Sequence, residues 1–534
     1  MGPHALAFVA AVFALLGGCA SLPPGVDFPK LPSSALEHPG ETRLGAAIAK
    51  AARAHPGKSG FRLLPSGLDG LIARMHMADA AERTLDVQYY IYRQDETSKL
   101  LSGALLHAAD RGVRVRVLLD DHGAVRKNMI LALDEHPNIE VRLFNPFAYR
   151  GESHVLRYIE LVLHAPRLKY RMHNKLMVSD NTIALVGGRN VGNEYFQASP
   201  EFEFGDYDLL AAGPAARELS KTFDEYWNSE LAIPVAALGQ DKYHPDIVNE
   251  LRTALRLHRS NMSDTEYMQR LAAEEPLAST LSGKALVWAR AEVICDSPGK
   301  ATGQGKNSTS WLGNDAVVRA AAATRSELLL VSPYVVPADE GMRFLLALRG
   351  RGVRVRVLTN SLEATDVAAA HAGYARYRPS LLSEGIVLYE ARASLNEAGG
   401  SGTPLASESP GRFSLHAKAF VFDREKVLIG AMNFDKRSLE LNTELGLLVH
   451  SPALAQQVAK QFESITNPAN SYEVAFDHNG DEAAGPPRLI WRTEKDGEIV
   501  ELTIEPIRSM WQRAMVDFLL ALPIDVLLGE ADYH

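Results

Sequence analysis

Apolar residues run almost without interruption through three short stretches, LDVQYYIY (Leu85 to Tyr92), VRVRVLLD (Val113 to Asp120) and IEVRLFNP (Ile139 to Pro146). Between the first two, LLSGALLHAADRG carries its leucines and alanines at helical spacing. Short runs rich in Val, Ile and Leu predict strands covered on both faces, and their alternation with helical patterns predicts an α/β fold. The same order returns later as SELLLVSPYVV (Ser326 to Val336), a helix through FLLALRGRG, then VRVRVLTN and IVLYEARA.

The recurrence extends to single letters. RGVRVRVL occupies Arg111 to Leu118 and again Arg351 to Leu358, and the run ending in Tyr90 and Ile91 matches the one ending in Tyr334 and Val335. Spacing held over so long a stretch predicts two homologous lobes rather than a solenoid of small repeats. A length of 534 residues with 46% hydrophobic content suits two cores, since single domains rarely grow past roughly 250 residues. The lobes are expected at 61–235 and 291–470, joined by a polar, helix-prone connection at 236–290 and followed by an extension at 471–534. Two Gly/Ser-rich stretches, 297–310 and 396–411, read as loops.

The first 18 residues read as a signal peptide, because the apolar run Ala5 to Leu16 is too short to span a bilayer. Leu16-Gly17-Gly18-Cys19 resembles a bacterial lipobox, which makes Cys19 the expected lipidation site. Ala20 after that cysteine favours the outer membrane in the lipoproteins it resembles, with the inner membrane open; either way the protein is placed on the periplasmic side of the envelope. Residues 19–60, Pro-rich at their start, are expected to form a tether. Cys295, the only other cysteine, sits in an apolar strand-like stretch and reads as a buried small hydrophobe, so no intramolecular disulfide is expected.

The pattern His-x-Lys-x4-Asp occurs once in each half, as His173, Lys175, Asp180 and as His416, Lys418, Asp423. On a strand, period two puts each histidine and lysine on one face, where an imidazole and an ammonium address the same phosphate. Asp180 and Asp423 precede a turn, and a structural role is expected of them. Downstream, Gly187-Gly188-Arg189-Asn190 matches Gly430-Ala431-Met432-Asn433, which makes Asn190 and Asn433 candidate donors to phosphate oxygens. Asp206 and Glu444 occupy corresponding positions further on and are candidates to orient the histidines. Each copy is expected to supply one half-site: His173, Lys175 and Asn190 with Asp206, and His416, Lys418 and Asn433 with Glu444.

HNKLMVSD with GGRN, and HAKAFVFD with GAMNFDKRSLELNTE, resemble the two motifs of the phospholipase D superfamily, and the surrounding sequence resembles bacterial cardiolipin synthases, most closely their C type. The resemblance implies two α/β lobes, each a mixed sheet flanked by helices, packed with pseudo-twofold symmetry. It also implies phosphatidyl transfer through a phosphohistidine, with His173 as nucleophile, His416 as acid and base, and no metal or cofactor. The donor is expected to be phosphatidylethanolamine or phosphatidylglycerol and the acceptor phosphatidylglycerol, yielding cardiolipin; hydrolysis to phosphatidic acid is the alternative, followed by a secreted nuclease or an inactive lipid-binding protein.

A net charge of -9 gives no general reason to bind nucleic acid, although Arg167, Lys169 and Arg171 form a local basic cluster. The expected partners are phospholipid substrates and a membrane surface, with any accessory protein left open. Trp511, Met515, Phe518, Leu519 and Leu522 fall on one helical face, which either dips into a membrane interface or packs on a lobe.

Overall fold

The computed structural model describes residues 22–124, 129–151, 153–238, 246–273, 286–302, 310–395, 411–477 and 488–521. The signal segment, Cys19, Leu522, and nearly all of the 396–411 loop lie outside the described residues, as does the middle of the 297–310 loop.

In the first half the strands are β1 (Ser59–Leu64), β2 (Thr84–Tyr92), β3 (Arg114–Ala124), β4 (Ile139–Phe144), β5 (Leu176–Ser179), β6 (Ile183–Gly187), β7 (Phe202–Gly205), β8 (Asp208–Ala212) and β9 (Ala232–Pro234). The second half begins with β10 (Val287–Cys295), β11 (Glu327–Val331), β12 (Val335–Val336), β13 (Arg354–Asn360), β14 (Val387–Ala391), β15 (Arg412–Leu415) and β16 (Ala419–Phe422). It continues with β17 (Lys426–Gly430), β18 (Phe434–Asp435), β19 (Leu445–His450), β20 (Ser471–Phe476), β21 (Leu489–Lys495) and β22 (Glu498–Leu502).

Eighteen of these form one sheet in the order β9-β4-β3-β2-β5-β6-β8-β1-β10-β19-β17-β16-β11-β13-β14-β20-β21-β22. Read outward from the antiparallel β1–β10 pair, the two halves present the same sequence of parallel and antiparallel partners as far as β9 and β20. This is the expected pair of α/β lobes related by a pseudo-twofold. The repeated VRVRVL strands, β3 and β13, each lie between two parallel neighbours.

Packing follows the strand pattern. One apolar cluster, with Leu71, Leu101, Val115 and Val141, belongs to the first half, and a second, with Val317, Leu345, Val355 and Leu388, to the other. The third takes residues from both, including Phe61, Val186, Phe223, Leu329, Ile429 and Phe462, so the lobes share a core. Asp180 and Asp423 tie down the chain entering β2 and β11. Asp180 accepts the backbone N–H groups of Glu82, Arg83 and Thr84 at 2.8–2.9 Å, and Asp423 those of Arg325, Ser326 and Glu327 at 2.7–2.9 Å. Cys295 lies in β10, where burial pushes its thiol far above the usual range.

Several expectations need correction. The segment after residue 21 is not a free tether: Lys30 donates to the carbonyls of Ser229 and Ala232 and Ala35 N–H to Asp224, and a helix follows at Arg43–Ala52. The lobe boundaries at 290 and 470 also move, since β10 starts at Val287 and β20 to β22 extend the second sheet through backbone pairing. Arg167 and Arg171 do not form a basic surface patch, because both are buried, the first on Asn145 and Pro146 O, the second on Asp120.

The Met510–Ala521 helix packs Val516, Leu519 and Leu520 against the second half and leaves Trp511 74% and Phe518 61% exposed. Packing on a lobe, one of the two expected roles, is thus realised through Leu519, whereas Trp511 and Phe518 of the same predicted face stay exposed. No helix among the described residues is long and apolar enough to cross a membrane.

Candidate active site

Both motif histidines follow directly on short pairings between the halves. His173 is zipped to the second half: its N–H donates to Thr443 O at 3.0 Å and Thr443 N–H donates to Arg171 O at 2.9 Å. His416 is zipped to the first half, since β15 runs parallel to β7 and the N–H groups of His416 and Ala417 both donate to Gly205 O. The residue after each docking point is the other half's carboxylate. Nδ1 of His173 accordingly lies 2.9 and 3.1 Å from the Glu444 oxygens, and Nδ1 of His416 lies 2.5 Å from Asp206 Oδ2.

This crosses the half-sites. Asp206 serves His416 rather than His173, and Glu444 serves His173 rather than His416, because backbone pairing across the interface brings each carboxylate to the opposite imidazole. Glu444 is held in turn by the Ser438 hydroxyl at 2.7 Å, and its own N–H donates to Asp296, which Lys300 neutralises at 2.8 Å.

The lysines sit beside their histidines as period two requires. Lys175 Nζ donates to His173 O at 2.6 Å and lies 5.5 Å from the centre of the Tyr90 ring, while Lys418 Nζ contacts His416 O and lies 2.7 Å from its Nδ1. All four side chains are nearly inaccessible to solvent, and burial governs their titration. His173 is held well below its ordinary value, first by burial and then by the positive charges of Lys175, Lys418 and Arg437. Lys175 is lowered strongly by burial, and Lys418 falls to about 8 for the same reason, with Asp206 and Glu444 opposing the shift. Burial raises both Asp206 and Glu444 to about 7 against the pull of the lysines. The ensemble is a buried cluster with a neutral imidazole and alternating charges, suited to receiving an anionic phosphate.

The asparagines differ from each other. Asn190 accepts Ile91 N–H at 3.1 Å and donates to Tyr195 Oη at 3.0 Å, bracing the ring that stands edge-on to His416. Both ends of its amide are thus engaged within the protein. Asn433 keeps a buried Oδ1 with no hydrogen-bond partner among the described residues. The glycines of the two segments make room for different neighbours: a Cβ on Gly188 would lie 2.3 Å from Asp206 Oδ1, and one on Gly430 2.4 Å from the backbone carbonyl oxygen of Leu445. Gly188→Ala is therefore expected to push Asp206 off His416 and cost about a hundredfold in turnover while the fold survives, as steady-state kinetics with a thermal melt will show.

Further residues surround the two histidines. Tyr90 packs edge-on to His173 at 5.1 Å, and Tyr334, its counterpart, donates to Asp366 at 2.9–3.1 Å. The duplication of the two tyrosines was the available signal. Asp366, raised by burial to about 6, Asp435, raised to about 7, and Ser438 carry no comparable mark. Among the described residues no group of three or more His, Cys, Asp or Glu side chains is arranged to hold a metal ion.

Comparison with known proteins adds three findings. The family described as cardiolipin synthase, PLD-like domain, matches residues 74–227 and 317–466. Cardiolipin synthase C of Escherichia coli is 37% identical over 494 residues, covering 91% of this chain and all of that one; an uncharacterized Helicobacter pylori protein is 29% identical over 493 residues, covering 91% and 93%. The crystal structure of phosphatidylserine synthase from Haemophilus influenzae superposes with a TM-score of 0.51 at 14% identity, covering 80% of this chain and 91% of that one.

Proposed function

Since the chain belongs to the cardiolipin synthase family with phospholipase D-like domains, we infer that it is a phospholipid phosphatidyltransferase that makes cardiolipin by way of a phosphohistidine. The observation that carries this reading is the pair of buried histidines, each with Nδ1 on a carboxylate from the opposite half. Glu444 accepting Nδ1–H leaves the Nε2 lone pair of His173 free, and its depressed basicity keeps the ring neutral. That Nε2 attacks the phosphorus of a donor, phosphatidylglycerol or phosphatidylethanolamine. As the P–O bond to the headgroup breaks, His416 gives its Nε2 proton to the departing alcohol.

The phosphatidyl group is then held on His173 by a P–N bond. A hydroxyl of a phosphatidylglycerol acceptor passes its proton to the neutral His416 and attacks phosphorus, and the P–N electrons return to His173. Lys175 and Lys418 neutralise the non-bridging oxygens throughout, with Asn433 as an additional polar contact.

Purified protein supplied with labelled phosphatidylglycerol, with and without phosphatidylethanolamine, tests the reading. Labelled cardiolipin is the expected product, and phosphatidic acid alone would replace synthesis with hydrolysis. The lipobox-like Leu16-Gly17-Gly18-Cys19 supports a further part of the proposal, that the protein sits on the periplasmic side of the envelope, anchored through an acylated Cys19.

The pH profile is expected to be a narrow bell. Below about 7, protonated Glu444 donates to Nδ1 and drives the hydrogen of His173 onto Nε2, removing the nucleophilic lone pair; protonated Asp206 disorients His416. Above about 8, Lys418 loses the charge that holds phosphate. Turnover therefore falls on both sides of a maximum between these values, and a rate constant from about pH 6 to about pH 9 would contradict the assignment.

A further inference from the structure

The His154–Leu163 helix is amphipathic in the wrong sense for a helix in water. Its only buried residues are Arg157 and Glu160, while Val155 is 68%, Tyr158 67% and Leu163 58% exposed, and Leu156, Ile159 and Val162 are about half exposed. Six large apolar side chains turned outward on ten residues make a patch of the kind that marks an interaction site.

The inward side fixes the helix firmly. Arg157 donates to Asp121 O and lies 4.0 Å from the centre of the Phe147 ring, and Glu160 accepts the N–H groups of Ala148 and Tyr149 at 2.6 and 2.8 Å. Asp121, near the end of β3, also accepts Phe147 N–H and Arg150 at 2.8 Å. Its neighbour Asp120 accepts Met172 N–H at 2.8 Å and pairs with Arg171, immediately before His173. Consecutive carboxylates of one strand thus hold the exposed helix and the catalytic histidine in fixed relation.

We propose that this helix is an interfacial anchor whose outward face seats in an anionic phospholipid bilayer beside the active site. The proposal rests on the phosphatidyltransferase reading for its choice of partner, and three observations favour a lipid surface. Glu152 and Glu160 are the two acids of 147–169, and Glu160 is buried, while His154, His164 and Lys169 flank the patch in a chain of net charge -9. A helix of ten residues is about 15 Å long, too short to cross a bilayer but suited to lie in its plane.

Third, the second half also exposes an apolar helix. The Met510–Ala521 helix hangs by Gln512 from Leu362 O, just beyond the end of β13, the repeat of β3, and exposes Met510, Trp511 and Phe518. Each half therefore presents an outward apolar helix tied by a hydrogen bond near the end of its VRVRVL strand.

Two measurements on the full chain test the proposal. A Val155→Ser, Ile159→Ser, Val162→Ser triple variant is expected to turn over monomeric short-chain phosphatidylglycerol within about twofold of the parent, but to lose about tenfold or more on vesicles of phosphatidylethanolamine and phosphatidylglycerol. Equal effects in both presentations overturn the proposal. Independently of turnover, the added emission of a Tyr158→Trp variant is expected to be quenched by vesicle lipids brominated on their acyl chains. Absence of quenching, or burial of the fluorophore by concentration-dependent self-association without lipid, overturns it as well. A parent protein that processes no phospholipid in either presentation would remove the phosphatidyltransferase reading, and the quenching result would still decide the anchor.

Discussion

The His173→Ala variant is expected to lose turnover by at least about ten-thousandfold, and His416→Ala by a similar factor, because each histidine does what the other cannot. Their roles separate with a donor whose leaving group is p-nitrophenol, which departs without a proton. His416→Ala then releases one equivalent of nitrophenolate in a burst and accumulates phosphatidyl-enzyme, since the acceptor alcohol has lost its base. His173→Ala gives no burst. The reverse pattern would exchange the nucleophile and the acid, and substantial turnover surviving either substitution would remove the paired-histidine mechanism.

The crossed carboxylates make the second large prediction. Glu444→Gln and Asp206→Asn are each expected to reduce turnover by roughly ten-thousandfold, as loss of an imidazole-orienting carboxylate does elsewhere. The diagnostic outcome is which histidine each one disables. Glu444 faces His173 at 2.9 Å, so Glu444→Gln should abolish the nitrophenolate burst although it lies in the other half of the chain. Asp206 faces His416, so Asp206→Asn should keep the burst and stall afterwards. If Asp206→Asn were the one to abolish the burst, each carboxylate would be acting on the histidine of its own half.

That crossing shows where sequence reasoning stops. The duplicated motifs, the strands around them and the pairing of each histidine with the lysine two residues on are all periodic features, and periodicity is written along the chain. Asp206 and Glu444 are legible as candidates for the same reason. Which histidine each serves is not, because two equivalent copies offer two equivalent assignments, and only the pairing of β7 with β15 and of Met172 with Thr443 chooses between them.

Other misreadings share a cause. Arg167, Lys169 and Arg171 look like a basic surface only while Asp120, 51 residues from Arg171, is out of view. Residues 22–38 look untethered until the carbonyls of Ser229 and Ala232 receive Lys30. The His154–Leu163 helix has no counterpart in the sequence reading at all, and nothing local says that Arg157 and Glu160, rather than its apolar residues, face the protein.

The strand order, mirrored about β1 and β10, is what two identical chains would form around a twofold axis. Such a pair would have two indistinguishable histidines, each equally able to attack phosphorus or to move a proton. Joining the copies into one chain breaks that equivalence: the partner of one imidazole can become the longer Glu444, braced by Ser438, while the other keeps the shorter Asp206. In one chain the proposed nucleophile and the proposed proton carrier can each keep the carboxylate that suits it, a freedom that two identical subunits do not have.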